Sequence, residues 1–248
     1  MDNKELTECF AAAGSAHGYK TVTARFAAFR DFKIRWSRTY KWAEFEVSDY
    51  INGAPNDIMC AIAETIFDKI RGNEGGYPRQ VIDWLTSDEF LGDKQPVYAR
   101  RFPGFLGTVE GTYKNLDDSR RRLVEAGLLE DDPGLLIGWV TPGKGKAVGH
   151  ASVLMKVVGI SGLLDSEGIP DSLLDFCLYT QTAHVSMGFD PARGDRDTQY
   201  EELLSLFPDR DEQEMELCRR KLHFRGRRCP PGANTPGHRP AVTPASGR

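Results

Sequence analysis

What the 248-residue sequence lacks narrows its class. No run of about 18 apolar residues occurs, so no segment has the length to cross a bilayer as a helix. The N-terminus, with Asp2 and Glu5 near its start, lacks the basic-then-apolar order of a signal peptide. Together these absences predict a cytoplasmic protein with no membrane contact. The five cysteines (Cys9, Cys60, Cys177, Cys218 and Cys229) form no C-x-x-C pair and their total is odd. That argues against a disulfide framework and against a cysteine zinc cluster, and predicts free thiols in a reducing compartment.

Acidic residues are absent from the last stretch, 223–248, which carries Arg225, Arg227, Arg228, Arg239 and Arg248. The net charge is −4, so without those five arginines the remaining chain stands at −9, a poor generic binder of nucleic acid. The same stretch holds Pro230, Pro231, Pro236, Pro240 and Pro244 and almost no core-forming residues, which predicts a disordered Arg/Pro/Gly tail. Elsewhere, 40% hydrophobic content over this length is enough to bury a sizeable core.

The apolar periodicity gives a mixed α and β chain. Leu6, Phe10, Ala13, Val22, Phe26 and Phe29 predict two short helices within 6–32, bent at Gly14 and Gly18. Residues 32–38 alternate apolar and polar, and Trp42, Phe45, Val47 and Tyr50 follow a turn, so a β-hairpin is expected, with Arg35, Arg38 and Lys41 on a solvated side. Ile58, Ile62, Ile66 and Ile70 mark one buried face of a helix over 55–71. A short helix over 79–90, an irregular stretch over 95–111 and a helix from Asn115 to about 129 come next. Apolar strands are expected over 135–140 and 151–160, then helices over 173–184, 195–208 and 211–222. Gly143-Lys144-Gly145-Lys146 lacks the G-x-x-x-x-G-K-[ST] spacing of a phosphate loop. The adjacent arginines Arg100 and Arg101, and the run Arg120, Arg121 and Arg122, read as solvated faces, the latter also as a weak nucleic-acid patch.

The helix over 173–184 ends in Tyr179-Thr180-Gln181-Thr182-Ala183-His184. In a zinc-peptidase helix, two histidines four positions apart put both imidazoles on one face to hold the metal, and a glutamate after the first activates the bound water. Around this helix stand Gly149-His150-Ala151-Ser152-Val153-Leu154-Met155-Lys156, Ile160-Ser161, Leu164-Asp165, Ile169-Pro170, Gly188-Phe189, Arg196 to Tyr200 and Phe207-Pro208. In this order and spacing the chain resembles the SprT-like group of zinc metallopeptidase-like proteins, closely over about 60 residues of 146–208.

The resemblance implies an α+β fold: a small zincin-like (minigluzincin-type) domain with a mixed β-sheet packed on helices, an extra N-terminal α/β segment and the disordered tail. The expected divisions are 1–130 for the N-terminal helices and hairpin, 131–222 for the SprT-like core and 223–248 for the tail. It also implies a degenerate site. Thr180 stands at the first metal histidine, Gln181 at the general-base glutamate and Arg196 at the third ligand; His184 alone is retained. Glutamine cannot accept a proton from metal-bound water, and arginine repels a cation. No bound zinc is therefore expected, although the family carries it. A replacement site from Cys177, Gln181 and His184, with Asp195 or Asp197, is the ligand set left to consider. The expected function is a non-catalytic module that binds a protein partner; the alternative is a metal-dependent hydrolase using a rearranged site.

Overall fold

The computed structural model describes residues 2–73, 75–143, 146–189 and 196–224. It is an α+β protein whose described residues hold eight α-helices and two three-stranded mixed sheets. The first two residues of the tail expected to be disordered over 223–248 are ordered, His223 bridging to Ala147 and Phe224 buried in the second core, while 225–248 lie outside the described residues, as does Asp195. Among the described residues no helix is long and apolar enough to cross a membrane.

Helix α1 (Asn3–Ala16) starts at a capping box: the Asp2 carboxylate accepts from the Lys4 and Glu5 amides, and the Glu5 carboxylate accepts from the Asp2 amide. It runs straight through Gly14, contrary to the bend expected there. A Cβ at 14 would lie 2.5 Å from Val22 Cγ2 and 2.9 Å from Phe67 Cζ, so glycine permits close packing of the helix and does not break it. The second helix expected within 6–32 is instead strand β1 (Thr21–Ala27), whose buried Val22 and Ala24 alternate with exposed neighbours. Strands β2 (Ile34–Arg38) and β3 (Trp42–Ser48) form the expected hairpin, and β1 pairs in parallel with β3, giving the order β1-β3-β2. A 3-10 turn, Asp49–Ile51, leads to Pro55 and helix α2 (Asn56–Ile70). Leu6, Phe10, Phe45, Ile62 and Phe67 form the centre of the first core.

Two further helices, α3 (Arg79–Leu85) and α4 (Asp88–Arg101), replace the single helix expected over 79–90 and part of the stretch expected to be irregular. Ser87 separates them by capping α4, its hydroxyl accepting from the Phe90 amide at 3.2 Å. Pro96 lies inside α4, where its ring meets the turn containing Gly92; burial of Phe90 and Tyr98 holds the helix despite it. Arg101 is paired as well as partly solvated: its Nη1 and Nη2 each reach the Asp49 carboxylate at 2.7 Å, over the Tyr50 ring. That pairing raises the Arg101 pKa above its ordinary value.

Helix α5 (Leu116–Glu125) ends before the expected 129, at Gly127 with φ +69°. Strand β4 (Leu136–Val140) is followed by a second hairpin, β5 (Gly149–Ser152) and β6 (Val157–Ser161), where one continuous strand was expected over 151–160. Residues 153–156 turn the chain, with Lys156 at φ +46°. The order is β4-β6-β5, with β4 parallel and β5 antiparallel to β6. A 3-10 turn, Gly162–Leu164, and Pro170 lead to α6 (Asp171–Ser186), then α7 (Arg196–Ser205) and α8 (Arg210–Arg219). Leu154, Met155 and Val157 belong to the first core, and Gln95 of α4 donates to the carbonyls of Gly134 (2.8 Å) and Met155 (2.9 Å), which joins the two halves. Cys9, Cys60 and Cys177 are free thiols, as expected, and Cys229 lies outside the described residues.

Candidate functional site

Helix α6 is buried almost all round, 12 of its 16 residues, so its polar side chains have to find partners inside the protein. The Thr180 hydroxyl donates to the Cys177 carbonyl at 2.8 Å, and the Thr182 hydroxyl donates to the Tyr179 carbonyl at 3.0 Å. The Gln181 amide lies 3.5 Å from Thr180 Oγ1, and its aliphatic part packs on β5, where a Cβ at Gly149 would sit 2.9 Å from Gln181 Cγ. At the open end of the helix, the His184 ring stacks on Tyr200 of α7, with centroids 3.8 Å apart and planes 12° apart. The Tyr200 hydroxyl donates to the Thr180 carbonyl at 3.1 Å.

These contacts bound a groove between the β5 edge of the second sheet, α6 and α7. Two cavities share His184 and Tyr200 as lining residues. One, about 240 Å³, is bounded by Gly149, His150, Ala151 and Gln181. The other, about 500 Å³, is bounded by Val153, Leu154, Met187, Phe189, Arg196 and Asp197, with Asp31 and Phe32 from the first half. Arg196 Nη2 donates to the Gly188 carbonyl at 2.9 Å, which ties the start of α7 to the turn after α6.

The structure thus brings Gln181, His184 and Arg196 to one groove and leaves Thr180 out of it. Thr180 is fully buried, with its hydroxyl engaged by its own helix. The donors at these positions do not suit a zinc ion: one buried hydroxyl, one carboxamide, one ring-stacked imidazole and one guanidinium. Cys177 does not help, because it is fully buried in the second core and burial pushes its thiol far above the ordinary range. Among the described residues, no three His, Cys, Asp or Glu side chains are grouped to hold a metal ion. No family model, curated protein or solved structure matches the chain.

Of the arginine run on α5, Arg120 and Arg122 are held by partners from other segments, whereas Arg121 stays on the solvated face expected of it. Arg120 reaches Asp131 at 2.6 Å and the Asp132 carbonyl at 2.9 Å, Arg121 pairs with Asp118, and Arg122 takes the Asp175 carboxylate with two nitrogens, at 2.7 and 2.6 Å. Ser119 donates to the same carboxylate at 2.5 Å. Nothing local in the sequence couples Arg122 to a residue 53 positions away. The role of Tyr200 was readable in part: four positions after Arg196, it lies on the same face of α7.

Proposed function

We propose that this chain is a non-catalytic, SprT-like protein on a zincin-like scaffold, and that the groove between β5 and α6 and α7 binds an extended segment of a protein partner. One observation carries the reading: the groove is open, with an apolar wall of Val153, Leu154, Met187 and Phe189, while the position that would hold the first metal ligand is fully buried away from it, its hydroxyl bonded to its own helix. The strand beside it, β5, lies at the edge of its sheet, and an edge strand offers main-chain groups to an added peptide. Arg196, Asp197 and Asp31 supply charged groups along the same groove.

The test is binding of a labelled unfolded protein, followed by fluorescence anisotropy and by gel analysis of the same samples. Binding without cleavage is expected, weakened about tenfold or more by Phe189→Ala, which removes the half-buried aromatic ring from the groove wall. Cleavage of the substrate that is lost in His184→Ala would instead establish a rearranged hydrolase.

A further inference from the structure

Helices α1 and α2 bring two thiols into contact on the side of the first half. Cys60 Sγ lies 2.9 Å from Cys9 Sγ, and the Cys9 thiol donates to Asn56 Oδ1 at 3.1 Å. Both cysteines are free. A cavity of about 370 Å³ opens onto them, with Ala12, Ala13 and Ala16 along α1 and with Glu64 and Asp68 along α2. The small alanines leave room for a reagent. Cys60 is half-buried, whereas Cys9 is 5% exposed. Burial, reinforced by the hydrogen bond from Cys60, pushes the Cys9 thiol up, and the greater exposure of Cys60 makes it the sulfur that a reagent reaches first.

We propose that Cys9 and Cys60 form a reversible dithiol–disulfide site that reacts with small cationic disulfides and covalently links α1 to α2. The Cys60 thiolate attacks one sulfur of the reagent and releases one thiol. Cys9 then gives up its proton and attacks the Cys60 sulfur, forming the Cys9–Cys60 bond and displacing the second thiol. The two protein thiols are oxidised, the reagent disulfide is reduced to two thiols, and the two protons end on those products. Bond formation brings the sulfurs from 2.9 Å to about 2.05 Å, a shift of less than about 1 Å. The preference for a cation follows from the carboxylates around the pair: Glu64 and Asp68 line the cavity, and Glu5 and Glu8 act on Cys9 from α1. The opposing cations are Arg71, 3.3 Å from His17 Nδ1, and Lys4, 3.9 Å from Glu8 Oε1.

The test treats the full chain with cystamine, then with glutathione disulfide, and follows intact mass and peptide maps. The expected product has lost two hydrogens, contains a Cys9–Cys60 peptide link and is reversed by dithiothreitol. Cystamine should react about tenfold faster than the anionic reagent, a gap that closes in Glu64→Gln with Asp68→Asn. Cys9→Ala should instead retain a mixed disulfide at Cys60. Because Cys9 is buried, the wild-type map is decisive even if that variant does not fold. Closing a loop between residues 51 apart should also raise the melting temperature of the oxidised protein by several degrees. A mixed disulfide that persists at Cys60 of the wild type, or thiols at both positions after treatment, overturns the proposal.

Discussion

The two halves of the molecule share one plan and differ in what covers it. Each runs helix, strand, hairpin, 3-10 turn, proline and helix, and each sheet has its last strand in the middle, parallel to the first and antiparallel to the second. Ser48 and Ser161 cap the two 3-10 turns in the same way, and Thr65 and Thr180, each ten residues after its proline, both turn their hydroxyls back onto their own helix. The first sheet has one open face: β3 alternates buried and exposed residues, and Arg25 pairs with Glu46 on the solvent side. The second sheet is covered on both sides, so all five residues of β6 are buried, and Gly138 and Gly159 make room for the rings of Phe105 and Phe102. Likewise α2 buries 8 of 15 residues, whereas α6 buries 12 of 16. The added helices around α6 create the groove, and they also force its polar residues into internal contacts.

Substituting the core rings tests whether the halves fold as one body. Phe67→Ala and Phe176→Ala should each destabilise by about 3–5 kcal/mol in urea titrations and shift one shared transition. Two separate transitions would show that the join through Gln95 and Met155 is weak.

The ion pairs sharpen the contrast in burial. Asp175→Ala strands Arg122 and Ser119 and should cost about 3 kcal/mol, against about 1–2 kcal/mol for Asp49→Ala, whose pair with Arg101 is more evenly open to water. Equal losses would remove that distinction. Gly159→Ala should cost about 2 kcal/mol, because its Cβ would lie 2.4 Å from Val140 Cγ2 and 2.8 Å from Phe102 Cε1.

The smallest effect is pH-dependent. Burial raises the Asp165 pKa, but the amides of Thr112, Tyr113 and Lys114, which donate at 2.6, 2.8 and 2.9 Å, outweigh it and hold the carboxyl below its ordinary 3.8. A depressed carboxyl stabilises the fold above its unfolded pKa, and that contribution is lost as pH falls through the lower folded value. Asp165→Asn should therefore cost about 1 kcal/mol at neutral pH, and the difference from wild type should shrink below about pH 4.

Much of this plan was legible in local sequence. The four-residue isoleucine spacing marked α2, and the alternation after Phe32 marked the first hairpin. Strand β1 was not legible, because Val22, Phe26 and Phe29 also fit a helical spacing and the deciding contact is non-local pairing with β3. Pro96 hid the second half of α4 for the opposite reason: local propensity opposed a helix that tertiary burial of Tyr98 sustains. Around the site, the residue types at 180, 181, 184 and 196 could be read. The hydrogen bond from Tyr200 to the Thr180 carbonyl, and the partner of each arginine, depend on folding distances that no short motif encodes.

The most direct test of the central claim is the zinc content of the full chain, purified without a metal-affinity tag and measured by elemental mass spectrometry. Far less than one equivalent is expected, unchanged in His184→Ala. One tightly held equivalent per chain, lost on that substitution, would contradict the account.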